Sequence, residues 1–411
     1  MTLSILSQDE FIQHSKNVKR RSFIQTPQMA DLLEKRGNKV RYIGWKENDQ
    51  ILVSAILYSM PMTGGLRMEI NSGPLFTDAS KLQPFYQALQ TYAKQNGALE
   101  LVIKPYNTYQ TFDSDGQPIS PEKTQLIKNL TDIGYAHDGL TTGYPGGEGD
   151  WHYVKDMTGI TEKDLLKSFS KKGKPLVKKA KTFGIKLRKL NRDELQIFKD
   201  ITSSTSDRRD YTDKSLEYYQ QFYDTFGDQA EFMIATLNFQ DYFDRLNEGQ
   251  AKLYQQKEEL YERHKENQNS AKLHRQANEL NHQIETFEVR KQEAQEFLNK
   301  YGSQDVVLAG SLFVYNPQES TYLFSGSYTE FNKFYAPALL QEYVMLETIK
   351  RSIPRYNFLG IMGIFDGSDG VLRFKQNFNG FIVRKMGTFR YYPSPIKYKV
   401  ISLLKRLLGR S

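Results

Sequence analysis

The alternation of apolar and polar residues predicts two modules with the same order of elements. In each module two strands form a hairpin, and a further strand, a helix and a last strand follow. The segments with this pattern in the first half are V-R-Y-I-G-W-K, I-L-V-S-A-I-L-Y-S-M, R-M-E-I-N-S-G-P-L-F, the helix over 82–95 and A-L-E-L-V-I-K-P-Y. Those in the second half are E-F-M-I-A-T-L, V-V-L-A-G-S-L-F-V-Y, S-T-Y-L-F-S-G-S, the helix over 338–349 and R-Y-N-F-L-G-I. We interpret the recurrence as two α/β domains, with a chance repetition of common elements as the alternative.

The segment between the two modules has a different composition. Residues 107–155 are rich in Gly, Pro, Thr and Asp. Such residues favour turns, so we expect loops around a single helix here.

A long helical stretch interrupts the second module. From Leu273 to Tyr301, nine residues follow alternating spacings of four and three, and eight of them are apolar or aromatic. This is the pattern of a coiled-coil seam. Before it, leucine recurs every seven residues, at Leu246, Leu253 and Leu260. With a reversal at 266–270, we predict an antiparallel coiled-coil arm over 241–301, about 30 Å long at ~1.5 Å per residue. The arm could contact tRNA, dock a partner or be a passive insertion.

The stretch 355–385 carries the main candidate for chemistry. Its first strand is broken at Gly360, and a glycine-rich turn follows. The sequence V-L-R-F-K-Q-N-F then alternates cationic and apolar side chains and places Lys375 between Phe374 and Phe378. A lysine beside aromatic surface can be partly desolvated, which suits it to bind or polarise an anionic or acyl substrate. The alternative is an exposed strand lysine without a role.

The composition excludes several kinds of site. The chain of 411 residues is 39% apolar and 13% aromatic, which is enough for more than one hydrophobic core. Because it contains no cysteine, disulfides and thiolate metal sites are excluded, and its six histidines show no metal-binding spacing. No basic N-terminal segment precedes an apolar run, and no apolar run is as long as a membrane span. We therefore expect a cytoplasmic protein without a metal site.

Positive charge is concentrated in one stretch of the chain. The net charge is +8, and residues 163–192 contain twelve lysines and arginines but a single acid, Asp164. Like charges at helical spacing repel one another, so a merely solvated helix face explains this imbalance poorly. We predict that Lys178, Lys179 and Lys181 bind an RNA backbone or a pyrophosphate, without sequence specificity.

The chain ends in a basic amphipathic segment over 396–411. Its sequence, I-K-Y-K-V-I-S-L-L-K-R-L-L-G-R-S, predicts a short helix with an apolar face. This face could pack on the protein body through Val400, Leu403, Leu404 and Leu407, or lie on an anionic membrane surface. The pattern favours neither alternative.

Several segments, taken in order, resemble one known family. They are S-F-I-Q-T-P-Q-M, E-I-N-S-G-P-L-F, V-K-K-A-K-T-F-G-I-K-L-R-K-L, L-N-F-Q-D-Y-F-D-R-L-N-E, R-Y-N-F-L-G-I and D-G-V-L-R-F-K-Q-N-F. Together they resemble the FemABX family of peptidoglycan branching aminoacyltransferases, and most of all its streptococcal MurM and MurN type. The resemblance runs nearly end to end, and a helical arm at this point of the second domain is distinctive of the tRNA-dependent members.

The resemblance implies a fold and a domain organisation. The fold class is α/β (α+β), with two GNAT-like acyltransferase domains and an inserted antiparallel helical arm. The first domain is expected over 1–155 and the second over 156–395, interrupted by the arm at 241–301. The basic amphipathic helix over 396–411 follows them.

The resemblance also implies an activity. The enzyme would transfer an amino acid, expected to be alanine, from aminoacyl-tRNA to the stem-peptide lysine branch of the lipid-linked peptidoglycan precursor, lipid II. This reaction builds the interpeptide bridge and requires no cofactor. The partners are aminoacyl-tRNA and lipid II, with peripheral contact at the inner face of the membrane as a further expectation.

Functional residues follow from the motifs that match. Lys375 in the F-K motif is expected to polarise the ester and stabilise the oxyanion, a role that an amine attacking an ester requires. The expected substrate contacts are Lys35, Arg36, Arg209, Tyr211, Lys214, Phe324 and Phe374.

The chain departs from the family pattern at two positions. A pyrophosphate-binding lysine of relatives is replaced by Leu33, with Lys35 and Arg36 just beyond it. An aspartate before Pro-Tyr is replaced by Lys104, so the attacking amine would lose its proton to the ribose hydroxyl of the ester or to water.

Two functions of other kinds remain open from the residues alone. An acyl-CoA-dependent GNAT acyltransferase would need an R/Q-x-x-G-x-G pyrophosphate loop, and Arg36-Gly37 is not followed by the second glycine. A non-catalytic RNA-binding scaffold would use the basic stretch and the arm. If the protein were such a scaffold, mutation of Lys375 would change neither the binding of its partner nor the phenotype of the cells.

Overall fold

The computed structural model describes residues 3–209, 212–266 and 270–407, without the side chain of Arg209. The strands of this part are β1 (Leu3–Ile5), β2 (Lys39–Glu47), β3 (Gln50–Met62), β4 (Gly65–Asn71), β5 (Leu75–Phe76), β6 (Ala98–Lys104), β7 (Thr108–Phe112), β8 (Ala136–His137), β9 (Trp151–Asp156), β10 (Lys186–Lys189), β11 (Ala230–Asn238), β12 (Asp305–Asn316), β13 (Glu319–Ser327), β14 (Arg355–Ile361), β15 (Phe381–Lys385) and β16 (Phe389–Tyr391). Its α-helices are α1 (Gln8–Lys16), α2 (Pro27–Lys35), α3 (Leu82–Gln95), α4 (Thr124–Thr131), α5 (Glu162–Leu165), α6 (Gly173–Thr182), α7 (Leu195–Arg209), α8 (Leu216–Phe226), α9 (Phe239–Arg263), α10 (Ala271–Tyr301), α11 (Ala336–Lys350), α12 (Gly370–Lys375) and α13 (Pro395–Leu407).

The strands form two mixed sheets. The first has the order β1-β2-β3-β4-β6-β16-β8, with β5 paired to β3, and the second has the order β10-β11-β12-β13-β14-β9-β15-β7. Each sheet contains a parallel pair, β4 with β6 and β13 with β14. Parallel neighbours need a crossover, which α3 provides in the first sheet and α11 in the second. The predicted mixed α/β fold with two modules of the same order is confirmed.

Strands from each half of the chain complete the sheet of the other half. In the segment 107–155, which was expected to form loops, β7 and β9 are strands of the second sheet, and β9 pairs with β14 and β15. In the other direction, β16 follows the second module yet pairs with β6 and β8 in the first sheet. Residue 155, the expected boundary between the domains, therefore lies inside β9.

The second sheet is buried on both faces. On one face Met233 and Phe313 point into a hydrophobic cluster with α6, α11 and the bases of α9 and α10. On the other face Phe232 and Leu312 pack against α2, α7 and α8. Alternate residues of each strand therefore serve two cores, which explains the continuous apolar run E-F-M-I-A-T-L.

Helices α9 and α10 form an antiparallel pair where the arm was predicted. Near the tip, Leu260 packs against Leu273. At the base, the ring of Phe297 stacks on that of Phe239 with centroids 4.7 Å apart, inside the same cluster as α6 and α11. The base of the arm is thus part of the core of the second sheet. Residues 267–269, in the predicted reversal, lie outside the described residues.

The segment that carries Lys375 is helical, so the strand expected from its alternating residues is wrong. The carboxylate of Asp369 accepts hydrogen bonds from the backbone N–H groups of Val371 (2.8 Å) and Leu372 (3.1 Å). An aspartate at this position satisfies donors that the first turn of a helix leaves open. Alternation over so few residues does not separate a strand from a capped helical turn.

Helix α13 touches the protein body through a residue other than those proposed for this contact. Ile401 packs against Gly64, in the turn between β3 and β4. The four residues expected to pack, Val400, Leu403, Leu404 and Leu407, are 52–74% exposed, so that alternative is wrong. Over the residues that the structure describes, none of the helices combines the length and apolar character that a membrane crossing requires.

Candidate active site

Lys375 is the last residue of α12, and its side chain turns into the protein. Its ammonium group donates hydrogen bonds to the backbone carbonyls of Leu359 (3.2 Å) and Gly360 (2.6 Å) in β14. The residue is 3% exposed, so the alternative of an exposed strand lysine is wrong. Two backbone acceptors thus hold a positive charge in a fixed place beside β14. The neighbouring Phe374 is half-buried, and its ring lies 5.4 Å from that of Phe378.

The strands β13 and β14 diverge next to this lysine. They pair at Ser320–Tyr356 and Thr321–Asn357, and the pairing ends there. Beyond that point β14 pairs irregularly with β9, and Leu359 takes a positive φ of 58°. This backbone conformation is rare for a residue with a branched side chain. Beyond this point residues 322–325 of β13 and 359–360 of β14 are partly exposed, and we call the region between the two strands here the cleft.

A loop before β9 forms one border of this cleft. A methyl group added at Gly360 would lie 2.7 Å from the ring of Tyr144, and one at Gly149 would lie 3.5 Å from the Cα of Gly360. Glycine at position 360 therefore lets Tyr144 approach β14 closely, whereas the distance at Gly149 is an ordinary van der Waals contact. Tyr144 is 44% exposed, so it lies at the surface of the cleft.

A buried polar cluster adjoins this part of β14. The side-chain amide nitrogen of Asn357 contacts the hydroxyl of Tyr106 (3.0 Å), Nδ1 of His152 (3.2 Å) and a carboxylate oxygen of Glu319 (3.1 Å). The amide oxygen of Asn357 accepts from the backbone N–H of Leu359, which fixes the orientation of the amide. The amide nitrogen thus has two protons to share among these three neighbours.

The imidazole of His152 is held neutral. Burial is the largest cause that lowers its pKa well below the usual value, and the positive charges of Lys385 and Lys375 add to it. A neutral imidazole donates a hydrogen bond at one ring nitrogen and accepts at the other. Sequence reasoning missed the cluster because its members come from four separate segments. Among the described residues, no group of three histidine or carboxylate side chains could hold a metal ion.

Lys104, which stands where the resemblance led us to expect an aspartate, ends β6 between two carboxylates. Its ammonium nitrogen lies 3.2 Å from Glu69 and 3.1 Å from Glu148. Burial acts to raise the pKa of the Glu148 carboxyl, but Lys104 and Lys385 outweigh burial, and the pKa is lowered. An ionised carboxylate is therefore present near this position, supplied by the loop that borders the cleft.

A second group of predicted residues meets around Tyr218, in the first turn of α8. The guanidinium carbon of Arg36 and the ammonium nitrogen of Lys214 lie 5.0 Å and 5.6 Å from the centroid of this ring. The ring of Phe324 stands edge-on to it at 6.2 Å. Lys35 hydrogen-bonds to a threonine hydroxyl of α8 at 3.1 Å. Two cations and two aromatic rings here form a surface suited to an anion.

The predicted substrate residues thus form two groups on opposite faces of the second sheet. Phe324 packs with the cluster of α7 and α8, whereas Phe374 packs with that of α6 and α11. Because Phe324 belongs to β13 and Lys375 binds to β14, the cleft between these strands separates the groups. Tyr211 and the side chain of Arg209 lie outside the described residues.

Lys178, Lys179 and Lys181 are exposed on α6. Lys179 lies over a tyrosine ring at 5.3 Å, and Lys181 forms an ion pair of 2.8 Å with Glu342 of α11. One of the three charges is thus compensated within the protein.

The start of α6 contacts the segment that follows Lys375. A methyl group added at Gly173 would lie 1.8 Å from the backbone carbonyl oxygen of Asn377, so only glycine allows this approach. Lys171, Lys172 and Lys174 surround this contact, and none of the three forms an ion pair with any residue that the structure describes. We call these three lysines the basic surface. It adjoins the end of α12.

Comparison with known proteins shows what the chain is similar to. The sequence model of the FemAB family matches residues 6–406. Aminoacyltransferase FemA of Staphylococcus epidermidis is 25% identical over 416 residues, which cover 99% of this chain and 100% of that protein. FemA of Staphylococcus aureus is also 25% identical, over 419 residues and 100% of both chains. The crystal structure of FemX superposes with a TM-score of 0.75 at 18% identity, over 98% of this chain and 100% of that one. This last likeness concerns the fold.

Proposed function

The chain belongs to the FemAB family, and on that basis we propose that it is an aminoacyltransferase that adds amino acids to the peptidoglycan precursor. The donor is aminoacyl-tRNA, with alanine as the transferred residue. The acceptor is an amine on the stem-peptide lysine branch of lipid II, as the resemblance to the MurM and MurN type implies. The FemA relatives support the class of reaction. The resemblance supports the choice of donor and acceptor.

One observation carries the chemical part of the proposal: backbone carbonyls hold the buried ammonium of Lys375 at the edge of the cleft. Attack of the amine nitrogen on the ester carbonyl forms a C–N bond and places negative charge on the carbonyl oxygen. Lys375 stabilises this oxyanion, because a preorganised positive charge needs no reorganisation as the negative charge develops. The ester C–O bond then breaks, and the ribose hydroxyl of the tRNA leaves with the proton that the amine gives up.

The acceptor binds through the cations around Tyr218. Arg36 and Lys214 hold its phosphate groups, and Arg36 lies one turn beyond Leu33, the position of the missing lysine. Phe324 and Phe374 line the path of the substrate on either side of the cleft. The roles expected for Arg209 and Tyr211 stay predictions.

The donor binds through the lysines at the start of α6 and along it. The basic surface adjoins the end of α12, so phosphates of the tRNA acceptor end bound there would bring the ester close to Lys375. Lys178, Lys179 and Lys181 extend the positive charge along α6. The protein acts in the cytoplasm, at the inner face of the membrane that carries its acceptor.

Mass spectrometry of muropeptides from cells with and without this protein tests the proposal. Without the protein, the stem-peptide branch is expected to lose a residue with the mass of alanine. Purified protein should transfer alanine from alanyl-tRNA to lipid II. An unchanged muropeptide profile together with no transfer in vitro would contradict the proposal. Transfer from an acyl-CoA alone would support the acyl-CoA-dependent alternative.

Neutralising the basic surface is expected to weaken tRNA binding and to reduce its salt dependence. Each phosphate contact contributes about 0.7–0.9 to the slope of log K against log salt, so Lys171→Ala, Lys172→Ala and Lys174→Ala together should lower the slope by about 2. The measurement is filter binding of alanyl-tRNA over a range of salt concentrations.

Three other basic residues of the same stretch provide the control. Lys186, Arg188 and Arg192 each form an ion pair, with Asp241, Glu194 and Asp224 respectively. Neutralising these three should leave the slope unchanged, because their charges are already compensated. If both triple variants change the slope equally, tRNA responds to net charge and the basic surface is not its binding site.

A further inference from the structure

The C-terminal helix presents a continuous apolar strip to solvent. Eleven large apolar side chains are exposed in the described part of the chain, and five of them lie on α13. These five are Ile396, Val400, Leu403, Leu404 and Leu407, with exposed fractions of 52–79%. At 100° per residue they fall within one arc of about 100°. We call them the apolar strip. Tyr398 and Ile401 lie on the opposite side, which faces the protein body.

Basic residues border the apolar strip on both sides. At the same helical spacing, Lys399 and Arg406 fall along one edge and Lys397 along the other, and all three are exposed. Lys405 lies closer to the body. The helix contains no acidic residue between Pro395 and Leu407. An apolar face with cationic flanks is the arrangement of helices that lie flat in the interface of a membrane.

We propose that the apolar strip inserts into the headgroup region of an anionic lipid bilayer, with Lys397, Lys399 and Arg406 bound to lipid phosphates. Burial of the apolar side chains in the bilayer favours binding, and the flanking cations are attracted to its negative surface. Charge favours this occupant over a second copy of the chain. Two strips packed together would place their cationic edges side by side, and like charges repel.

The position of α13 has a consequence that rests on the proposed function. Ile401 packs at Gly64, and Leu99 at the start of β6 lies beside the same glycine. From there β6 runs to Lys104, next to the loop that borders the cleft. At ~3.3 Å per residue the path from Leu99 to Lys104 spans about 17 Å. A lipid-anchored acceptor would therefore present its amine about that far from the docked helix, measured along the strand.

Vesicle co-sedimentation of the full chain tests the proposal. We expect binding to vesicles of phosphatidylcholine mixed with phosphatidylglycerol, weaker binding at raised salt, and little binding to phosphatidylcholine alone. The double variant Val400→Asp, Leu403→Asp should lower the apparent affinity for vesicles by about tenfold or more. It removes two apolar side chains that the bilayer would bury. Ile119→Asp is the matched control because Ile119 is 61% exposed outside α13, and this variant should bind as wild type does.

Charge variants and the oligomeric state complete the test. Lys397→Gln and Lys399→Gln should each weaken binding by about fivefold and flatten the salt dependence. Absence of vesicle binding, or equal binding by the aspartate variant, would overturn the proposal. So would a dimer in sedimentation equilibrium that the aspartate variant abolishes, because a second copy would then cover the strip. The assay measures no transfer, so its failure leaves the proposed function standing.

Discussion

A Lys375→Met variant is expected to transfer an amino acid about a hundredfold or more slowly than wild type, with unchanged affinity for aminoacyl-tRNA. One preorganised donor to a developing oxyanion contributes about 3–4 kcal/mol, and each ~1.4 kcal/mol is a factor of ten in rate. Methionine keeps the apolar stem and removes the charge, so Phe374 and Phe378 should stay packed. The measurement is single-turnover transfer from alanyl-tRNA to lipid II, with tRNA affinity measured separately.

A matched control separates the charge of Lys375 from its structural role. The substitution leaves two carbonyls of β14 without this donor, and an unsatisfied buried group costs about 1–3 kcal/mol, so stability should also fall. Lys155 is likewise 3% exposed, and it donates to three backbone carbonyls, those of Ser168, Phe378 and Asn379. Lys155→Met should therefore lose stability but transfer within a few-fold of wild type at temperatures where it is folded.

Three results would change the role assigned to Lys375. A Lys375→Met variant that transfers within a few-fold of wild type would remove the residue from the chemistry. Equal losses of transfer in this variant and in Lys155→Met would mean that both lysines act by supporting the structure of the cleft. Slow transfer with lost tRNA affinity would make Lys375 a residue that binds the donor.

The sequence predicted strands best where both of their faces are buried. The run E-F-M-I-A-T-L became β11 because its alternate residues enter two cores. The sequence did not reveal β9, which was expected to be a loop. This strand carries His152 and Lys155, which are 7% and 3% exposed. Their polar groups are satisfied by partners distant in the chain, and hydropathy contains no information about such partners.

The sequence suggested candidate residues for the site but not how these residues are arranged in space. The family resemblance singled out Lys375, yet its burial depends on the helical turn capped by Asp369 and on the carbonyls beside the irregular residue Leu359. The convergence of Arg36 and Lys214 depends on the packing of α2 against α8, which local patterns do not encode. Contacts between distant segments decide which side chains meet.

Two nested deletions of the helical arm are expected to have opposite outcomes. Removing residues 254–283 and joining the helices through a short Gly/Ser linker should leave both sheets folded. This change takes away the distal pair, including Leu260 and Leu273, which packs in a small cluster of its own. Removing residues 249–299 should instead destabilise the second sheet.

The difference lies in the side chains at the base of the arm. The longer deletion removes Ala294, which is 0% exposed, and Phe297, whose ring stacks on Phe239 and lies 5.6 Å from that of Phe334. Truncating one buried phenylalanine costs about 3–5 kcal/mol, and half-buried Phe297 is one of several side chains lost here. That is a large share of the ~5–15 kcal/mol that stabilises a typical domain. Circular dichroism melts should show one cooperative transition near that of wild type for the shorter deletion and a marked loss for the longer one. Equal melts for both would mean that the base of the arm is not part of the core.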